Sequence, residues 1–416
     1  MEEILWNMNP WWDSGEVPKK LYGTKREIYI SQLKKFTGKK VIILIGPRRS
    51  GKTTLMLQLI AEKLSSGVNP NKILYAELDH PLLASINDVI TTFRKIHGIK
   101  RQDKIYLFLD EIQYIVDWSR WVKALYDNEN TEIIVSGSST TMLKPETATY
   151  LTGRNYKVDI WPLSFKEFVD FRGRPAKSES YIYSKYLDDY FYTGGYPEVV
   201  LEDDKSVRQR DLASYFEDMI DRDVVRVYGV REIHAIREIA TYLMENIAQI
   251  ISMNKISKVL KLPLSTLREY LTFLEGAYIL FSLPYYSKSI NEIRYNPKKY
   301  YSIDLGLRYA ITGRTNLGPI AENTLFLHLI QNYQGIYYWK QKYELDFIMD
   351  KGSKIVECKY HDDIDKSSYK GLIKFMEINK IKFGQIVSKS IADQIKSNGK
   401  TIDIIPMWKY LLEFKS

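Results

Sequence analysis

Over the first 165 positions the apolar residues fall into short runs of β-branched and leucine-rich sequence, separated by stretches where they recur every three or four residues. The runs Val41 to Ile45, Lys72 to Leu78, Ile105 to Leu109, Glu132 to Val135 and Tyr156 to Trp161 predict strands. From Thr54 the spacing predicts a helix that continues to Gly67 as its C-cap. Strands alternating with helices predict a parallel α/β sheet from Val41 to about Ser164, closed by Pro162-Leu163-Ser164. The polar stretch Arg172-Gly173-Arg174-Pro175-Ala176-Lys177-Ser178 predicts a linker or exposed loop, and a helical region rich in Tyr and acidic residues follows it to about Ala248. Between Asn254 and Leu283 the pattern predicts helix, turn, helix. Ile256, Val259 and Leu260 space helically, Pro263 interrupts, Ser265 caps the second helix and Gly276 ends it. Beyond Pro297 a helix is expected from Glu322 to Ile330, then strands at Ile336 to Trp339, Leu345 to Met349 and Lys354 to Tyr360, the last two joined at Asp350-Lys351-Gly352.

At 416 residues the chain exceeds what one core serves, so two to four domains of roughly 100 to 200 residues each are expected. No apolar run approaches the roughly 20 residues that span a bilayer, and Met1-Glu2-Glu3-Ile4 lacks the order of a signal peptide. A cytoplasmic protein with no membrane partner is expected. The single cysteine, Cys358, excludes an internal disulfide framework and any multi-cysteine metal site, and five scattered histidines suggest no metal cluster. A net charge of +9 permits double-stranded DNA as a partner and is equally a way of solvating a surface. Trp11 and Trp12 are expected to pack the N-terminal arm onto its own domain.

The run Gly46-Pro47-Arg48-Arg49-Ser50-Gly51-Lys52-Thr53, followed by Thr54, fits G-x-x-x-x-G-K-[ST] between a strand and a helix. Two glycines let the backbone turn its N–H groups toward phosphate oxygens, and the helix N-terminus adds partial positive charge there. Lys52 is expected to reach the β- and γ-phosphates of a nucleoside triphosphate, and Thr53 to ligate Mg²⁺. The apolar strand Ile105 to Leu109 ends in Asp110-Glu111, which places Asp110 to hold the Mg²⁺ water shell and Glu111 to polarise the attacking water. One strand, Lys72 to Leu78, lies in sequence between the loop and this pair, as in the P-loop subclass with an inserted strand and a catalytic glutamate. Ser136, in Ser136-Gly137-Ser138-Ser139, is a candidate γ-phosphate contact. Arg154 is a candidate for neutralising transition-state charge, within its own subunit or across a homo-oligomer.

These motifs, with Pro162-Leu163-Ser164-Phe165-Lys166-Glu167-Phe168, Gly194-Gly195-Tyr196-Pro197, Arg222-Asp223 and Tyr301-Ser302-Ile303-Asp304-Leu305-Gly306-Leu307, resemble the archaeal and bacterial AAA-type ATPases that carry a C-terminal conserved domain of uncharacterised function. The resemblance spans nearly the whole chain. It implies ATP rather than GTP, with ATP/ADP and Mg²⁺ as ligands, and an α/β P-loop NTPase parallel sheet followed by a helical region, a winged helix and a mixed α/β endonuclease-like domain. The expected divisions are an ATPase domain over 1–171, a helical lid or linker over 172–248, a winged-helix-like module over 249–300 and a restriction-endonuclease-like domain over 301–416. The segment from Val17 to Glu27 is loosely similar to the adenine-contacting stretch of replication-initiator-type ATPases, with an ordinary helix start as the preferred reading.

In the second half, the second helix of the pair, Ser265 to Glu275, offers Arg268 against Glu269 and Glu275, a poor match to DNA phosphates. Lys255, Lys258, Lys261, Lys288, Arg294, Lys298 and Lys299 are the alternative contacts. Further on, Asp346 and Glu357-Cys358-Lys359, with Glu322 on the preceding helix, match the D…E-x-K arrangement of metal-dependent nucleases. Alternation puts Glu357 and Lys359 on one strand face, and a hairpin can bring Asp346 beside them. A degenerate site kept as a binding platform is the competing expectation. Two readings follow: an ATP-hydrolysing switch or motor on nucleic acid, or a nucleotide-dependent signalling switch whose C-terminal domains bind a protein partner.

Overall fold

The computed structural model describes residues 1–138, 150–175, 180–365 and 368–413. Ser139, and Ala176, Lys177 and Ser178 of the expected linker, lie outside them. The chain forms two compact units, Met1–Trp161 and Pro162–Ser416.

The first unit is built on a five-stranded parallel sheet: β1 (Val41–Gly46), β2 (Ile73–Glu77), β3 (Ile105–Asp110), β4 (Thr131–Ser138) and β5 (Asn155–Asp159), in the order β2-β3-β4-β1-β5. All of β1 is buried, as expected of a parallel strand covered on both faces by helices, and this is why its sequence reads as an unbroken apolar run. The strand that separates β1 from β3 in space is β4, while β2, which intervenes in sequence, takes the sheet edge. That edge is covered by the N-terminal arm. Asn9 donates to the Tyr75 carbonyl at 2.8 Å and accepts the Tyr75 N–H at 2.7 Å, so one side chain does the work of a neighbouring strand. The indole N–H groups of Trp11 and Trp12 both donate to the Ile73 carbonyl, at 3.3 and 2.8 Å.

The second unit begins with helices Phe165–Arg172, Ser180–Thr193 and Lys205–Asp218. The first opens in a capping box, Ser164 with Glu167. Residues 162–171 pack with the second unit, as do the three later segments. Helices Ile233–Glu245, Met253–Leu260 and Leu264–Gly276 surround a small antiparallel sheet of β6 (Ile250–Ile251), β8 (Lys298–Ser302) and β7 (Leu280–Leu283). Pro263, not Ser265, stands at the start of the helix Leu264–Gly276; no side chain caps it, and Ser265 lies exposed in its first turn.

A six-stranded mixed sheet completes the unit, in the order β13-β14-β12-β11-β10-β9. Strands β9 (Tyr337–Lys340), β10 (Glu344–Met349) and β11 (Lys354–Lys359) run antiparallel. The helix Lys370–Asn379 then leads to β12 (Phe383–Ser388), which lies parallel to β11 and to β14 (Lys400–Pro406), with β13 (Asp393–Ser397) antiparallel at the edge. The helix Leu317–Asn332 precedes β9.

The conserved-looking glycine motifs of this unit interlock. The Asp304 side chain caps the helix Leu305–Thr312 through the Leu307 N–H at 2.8 Å and accepts the Gly195 N–H at 2.6 Å. A Cβ on Gly306 would stand 2.2 Å from the Thr193 carbonyl oxygen, and one on Gly195 would stand 2.3 Å from that of Leu163. Backbone meets backbone there, so no side chain can yield. Gly306→Ala is expected to cost about 1–3 kcal/mol in urea unfolding, whereas Gly318→Ala, where the added methyl meets nothing within 4 Å, should not destabilise.

Candidate active site

The phosphate loop leaves β1 at Gly46, whose φ of 152° and close neighbour leave no room for a side chain: a Cβ would lie 2.2 Å from the Ile160 carbonyl oxygen. The helix Lys52–Ser65 starts at the far end of the loop, after Gly51 in the left-handed region (φ 92°). This positions uncapped N–H groups of the helix N-terminus toward the loop. Lys52 is 5 % exposed, and its ammonium donates to the carbonyls of Gly46 at 3.1 Å and Pro47 at 2.9 Å. The Ser50 hydroxyl is buried with no hydrogen-bond partner, a rare arrangement for a buried polar atom and one that a bound phosphate oxygen would satisfy.

Across the sheet, one carboxylate gathers the rest. Asp110, fully buried at the C-terminal end of β3, accepts from Thr53 Oγ1 at 2.6 Å, from Tyr75 OH at 3.0 Å and from Ser136 Oγ. Thr53 comes from the loop helix, Tyr75 from β2 and Ser136 from β4, so the carboxylate links the loop to both strands flanking β3. Burial, then the charge of Asp110, keeps Tyr75 a neutral phenol by pushing its pKa far up. Thr53 and Asp110 present converging oxygen donors, the ligand chemistry of Mg²⁺, and the residues fit that ion. Glu111 follows in the left-handed region (φ 51°); its N–H donates to Ser136 Oγ at 3.3 Å, and its carboxylate accepts from the Gln113 amide.

Arg154 is not part of this group. It immediately precedes β5, and Asn155 pairs in register with Val41 at the start of β1. The phosphate loop lies at the other end of the strand, about 17 Å away at about 3.3 Å per residue. Its guanidinium instead meets Asp127 at 2.8 Å and, with Lys123, holds that carboxyl below its usual range. The structure thus places Arg154 away from the phosphate loop of its own subunit.

Three side chains that sequence reasoning passed over position the loop. Arg26 is buried and donates to the carbonyls of Ser50 at 2.8 Å and Trp161 at 2.9 Å. Gln58 accepts the Arg26 N–H at 3.2 Å and donates to the carbonyls of Tyr22 and Thr24, tying the segment before Glu27 to the loop helix. Tyr75 is the third. Strand alternation could have pointed Tyr75 at the site; nothing in the local pattern marks Arg26.

In the second unit, Glu322, Asp346, Glu357 and Lys359 do come together. Asp346 accepts the Cys358 N–H at 3.0 Å, Glu357 accepts the Asp346 N–H at 3.2 Å, and Lys359 pairs with Glu357 at 2.6 Å. Burial, and then the charge of Asp346, pushes Glu322 up to about 7 and Glu357 up to about 8. Burial would raise Asp346 as well, but Lys299 and Lys359 hold it below its usual range. Lys299, named from sequence among the alternative DNA contacts, is fully buried in this cluster. Its alternation with Tyr301 along β8 was the available signal, since both reach Glu322, each at 2.7 Å. Lys255, Lys258, Lys261, Lys288 and Arg294 are exposed, and Lys298 is half-buried beside Ser282. Among the described residues no helix is long and apolar enough to cross a membrane.

An AAA domain model matches residues 38–169, and two domains of unknown function, DUF8612 and DUF4143, match 184–318 and 317–410. An uncharacterized protein of Haemophilus influenzae is 30% identical over 356 residues, covering 83% of this chain and 88% of that protein. One of Methanocaldococcus jannaschii is 29% identical over 426 residues, covering 97% and 94%. Among solved structures, the Aeropyrum pernix Orc1 protein in complex with DNA aligns over 72% of this chain and 95% of its own at 13% identity and a TM-score of 0.35. AMPPCP-bound DnaA from Aquifex aeolicus aligns over 60% and 87% at 14% identity and a TM-score of 0.32. Replacing Arg26 by alanine removes the donor to the Ser50 carbonyl of the loop and to that of Trp161, which should cost about 1–3 kcal/mol of stability and weaken binding of a fluorescent ATP analogue, measured by denaturant unfolding and by titration.

Proposed function

Since the chain belongs to the family of archaeal and bacterial AAA-type ATPases whose C-terminal half is formed by domains of unknown function, we propose that it hydrolyses ATP in a Mg²⁺-dependent reaction and uses the cycle as a switch on duplex nucleic acid. The observation that carries the hydrolytic reading is the convergence of Thr53, Ser136 and Tyr75 on Asp110 beside the phosphate loop. Lys52 exchanges its loop carbonyls for the β- and γ-phosphates, and the Ser50 hydroxyl and the helix N-terminus meet the remaining oxygens. Thr53 and Asp110 would hold Mg²⁺, which would supply charge neutralisation on the phosphates. Glu111 takes the water's proton, its backbone fixed by Ser136 and its carboxylate turned by Gln113.

Action on nucleic acid rests on two supports: the net charge of +9 and the exposed cations Lys255, Lys258, Lys261, Lys288 and Arg294. The order β6, helix, helix, β7, the short helix Ile290–Tyr295 and β8 that carries them supports the winged-helix reading of 249–300. A second reading, a switch whose C-terminal half binds protein, is favoured by the helix Leu264–Gly276, where the exposed cation Arg268 is offset by the exposed acid Glu269.

Lys52→Ala should weaken ATP binding by about 10- to 100-fold, from loss of a charge-assisted contact. Glu111→Gln should bind ATP nearly as wild type does yet turn over about 10²- to 10⁴-fold more slowly. Steady-state hydrolysis and nucleotide titration separate the two, and equal turnover by wild type and Glu111→Gln refutes the assignment. For the nucleic-acid role, duplex affinity should fall linearly in log-log with salt, by a slope of about −0.9 per phosphate neutralised; no duplex binding at low salt hands the case to the protein-partner reading.

A further inference from the structure

The D…E-x-K pattern of the second unit implies a divalent ion held by carboxylates. The residues present do not fit one. The Lys299 ammonium lies 2.7 Å from Glu322 Oε1, 2.8 Å from Glu344 Oε1 and 2.9 Å from Asp346 Oδ1. An ammonium has three N–H donors, and these three oxygens use them all. The other Asp346 oxygen is taken by the Cys358 N–H, and the two Glu357 oxygens by the Asp346 N–H and by Lys359. Tyr301 OH adds a second donor to the Glu322 oxygen at 2.7 Å. A Mg²⁺ ion needs six oxygens at about 2.0–2.1 Å, and among the described residues no group of three or more acidic, imidazole or thiol side chains is arranged to hold a metal.

We propose that Lys299 is the resident cation of this cluster: its ammonium stands where the divalent ion of a nuclease would stand, so the C-terminal site binds no metal and serves as an internal clasp between β8 and β10. Lys299 is fully buried, and a charge so far from water persists only when it is fully paired. Its partners come from two elements besides its own: Glu344 and Asp346 from β10 of the large sheet, Glu322 from the helix Leu317–Asn332. The small sheet thereby supplies, as a tethered side chain, the positive charge that the carboxylates require. A free ion entering the same carboxylates would meet the ammonium at a distance of a few Å in a buried setting, where like-charge repulsion is large.

This inference is independent of the ATP reading and is tested without nucleotide. Metal-stripped protein is titrated with Mn²⁺, and free Mn²⁺ is followed by electron paramagnetic resonance in four proteins: wild type, Asp346→Asn, Lys299→Ala and Lys299→Ala/Asp346→Asn. Wild type and Asp346→Asn should bind alike, whereas Lys299→Ala should gain a Mn²⁺ site that the double variant lacks. Lys299→Ala should also melt lower than wild type in chelator and recover part of the loss in Mn²⁺. A wild-type Mn²⁺ site lost in Asp346→Asn overturns the proposal, as does plasmid nicking by wild type that Asp346→Asn abolishes. So does a folded Lys299→Ala that gains no site. Should Lys299→Ala fail to fold, the comparison of wild type with Asp346→Asn still decides the matter.

Discussion

A charge withdrawn from water must be met by opposite charge or by several hydrogen bonds, and the architecture on both sides of Trp161 depends on how this is done. In the first unit the charge is Asp110, met by hydroxyls from a helix and two strands. In the second it is Lys299, met by three carboxylates from a helix and a strand. In each case the buried ion draws together elements far apart in sequence. The surrounding apolar residues supply burial, and the ion determines which side chains face one another.

The two arrangements differ in what they leave available. Around Asp110 the donors are neutral hydroxyls and the Glu111 N–H, and the neighbouring Ser50 hydroxyl is unpaired, so a cation and phosphate oxygens can enter without displacing a fixed charge. Around Asp346 and Glu357 the partners include two lysines, Lys299 and Lys359, whose fixed positive charges a metal ion would have to displace. Similar ingredients, a buried aspartate at a strand with a lysine nearby, thus give a site open to ligand in one unit and a closed cluster in the other.

Much of the first unit could be read from the chain because its signals are local. The loop from Gly46 to Thr53 needs particular residues at consecutive positions, and β1 and β3 are runs long enough to be seen without neighbours. What could not be read there depended on strand order and direction. Five strands in sequence do not say that β4 lies between β1 and β3, nor that Arg154, seven residues before Trp161, sits at the end of the sheet away from the loop. In the second unit alternation correctly joined Glu357 to Lys359, and a hairpin joined Asp346 to them. Lys299 escaped because a lysine beside another lysine in a short strand looks solvated until its partners are known.

By itself, then, the amino-acid order determined several strands and helices before Tyr360 and where a phosphate loop must form, since backbone geometry and side-chain periodicity act over a few residues; the elements beyond Tyr360 were not read from it. Tertiary structure alone decided which carboxylate meets which cation. Lys299 and Asp346 are 47 residues apart, and no local preference distinguishes a lysine that faces water from one that replaces a metal; only burial against three carboxylates, with its desolvation to be offset, makes the difference.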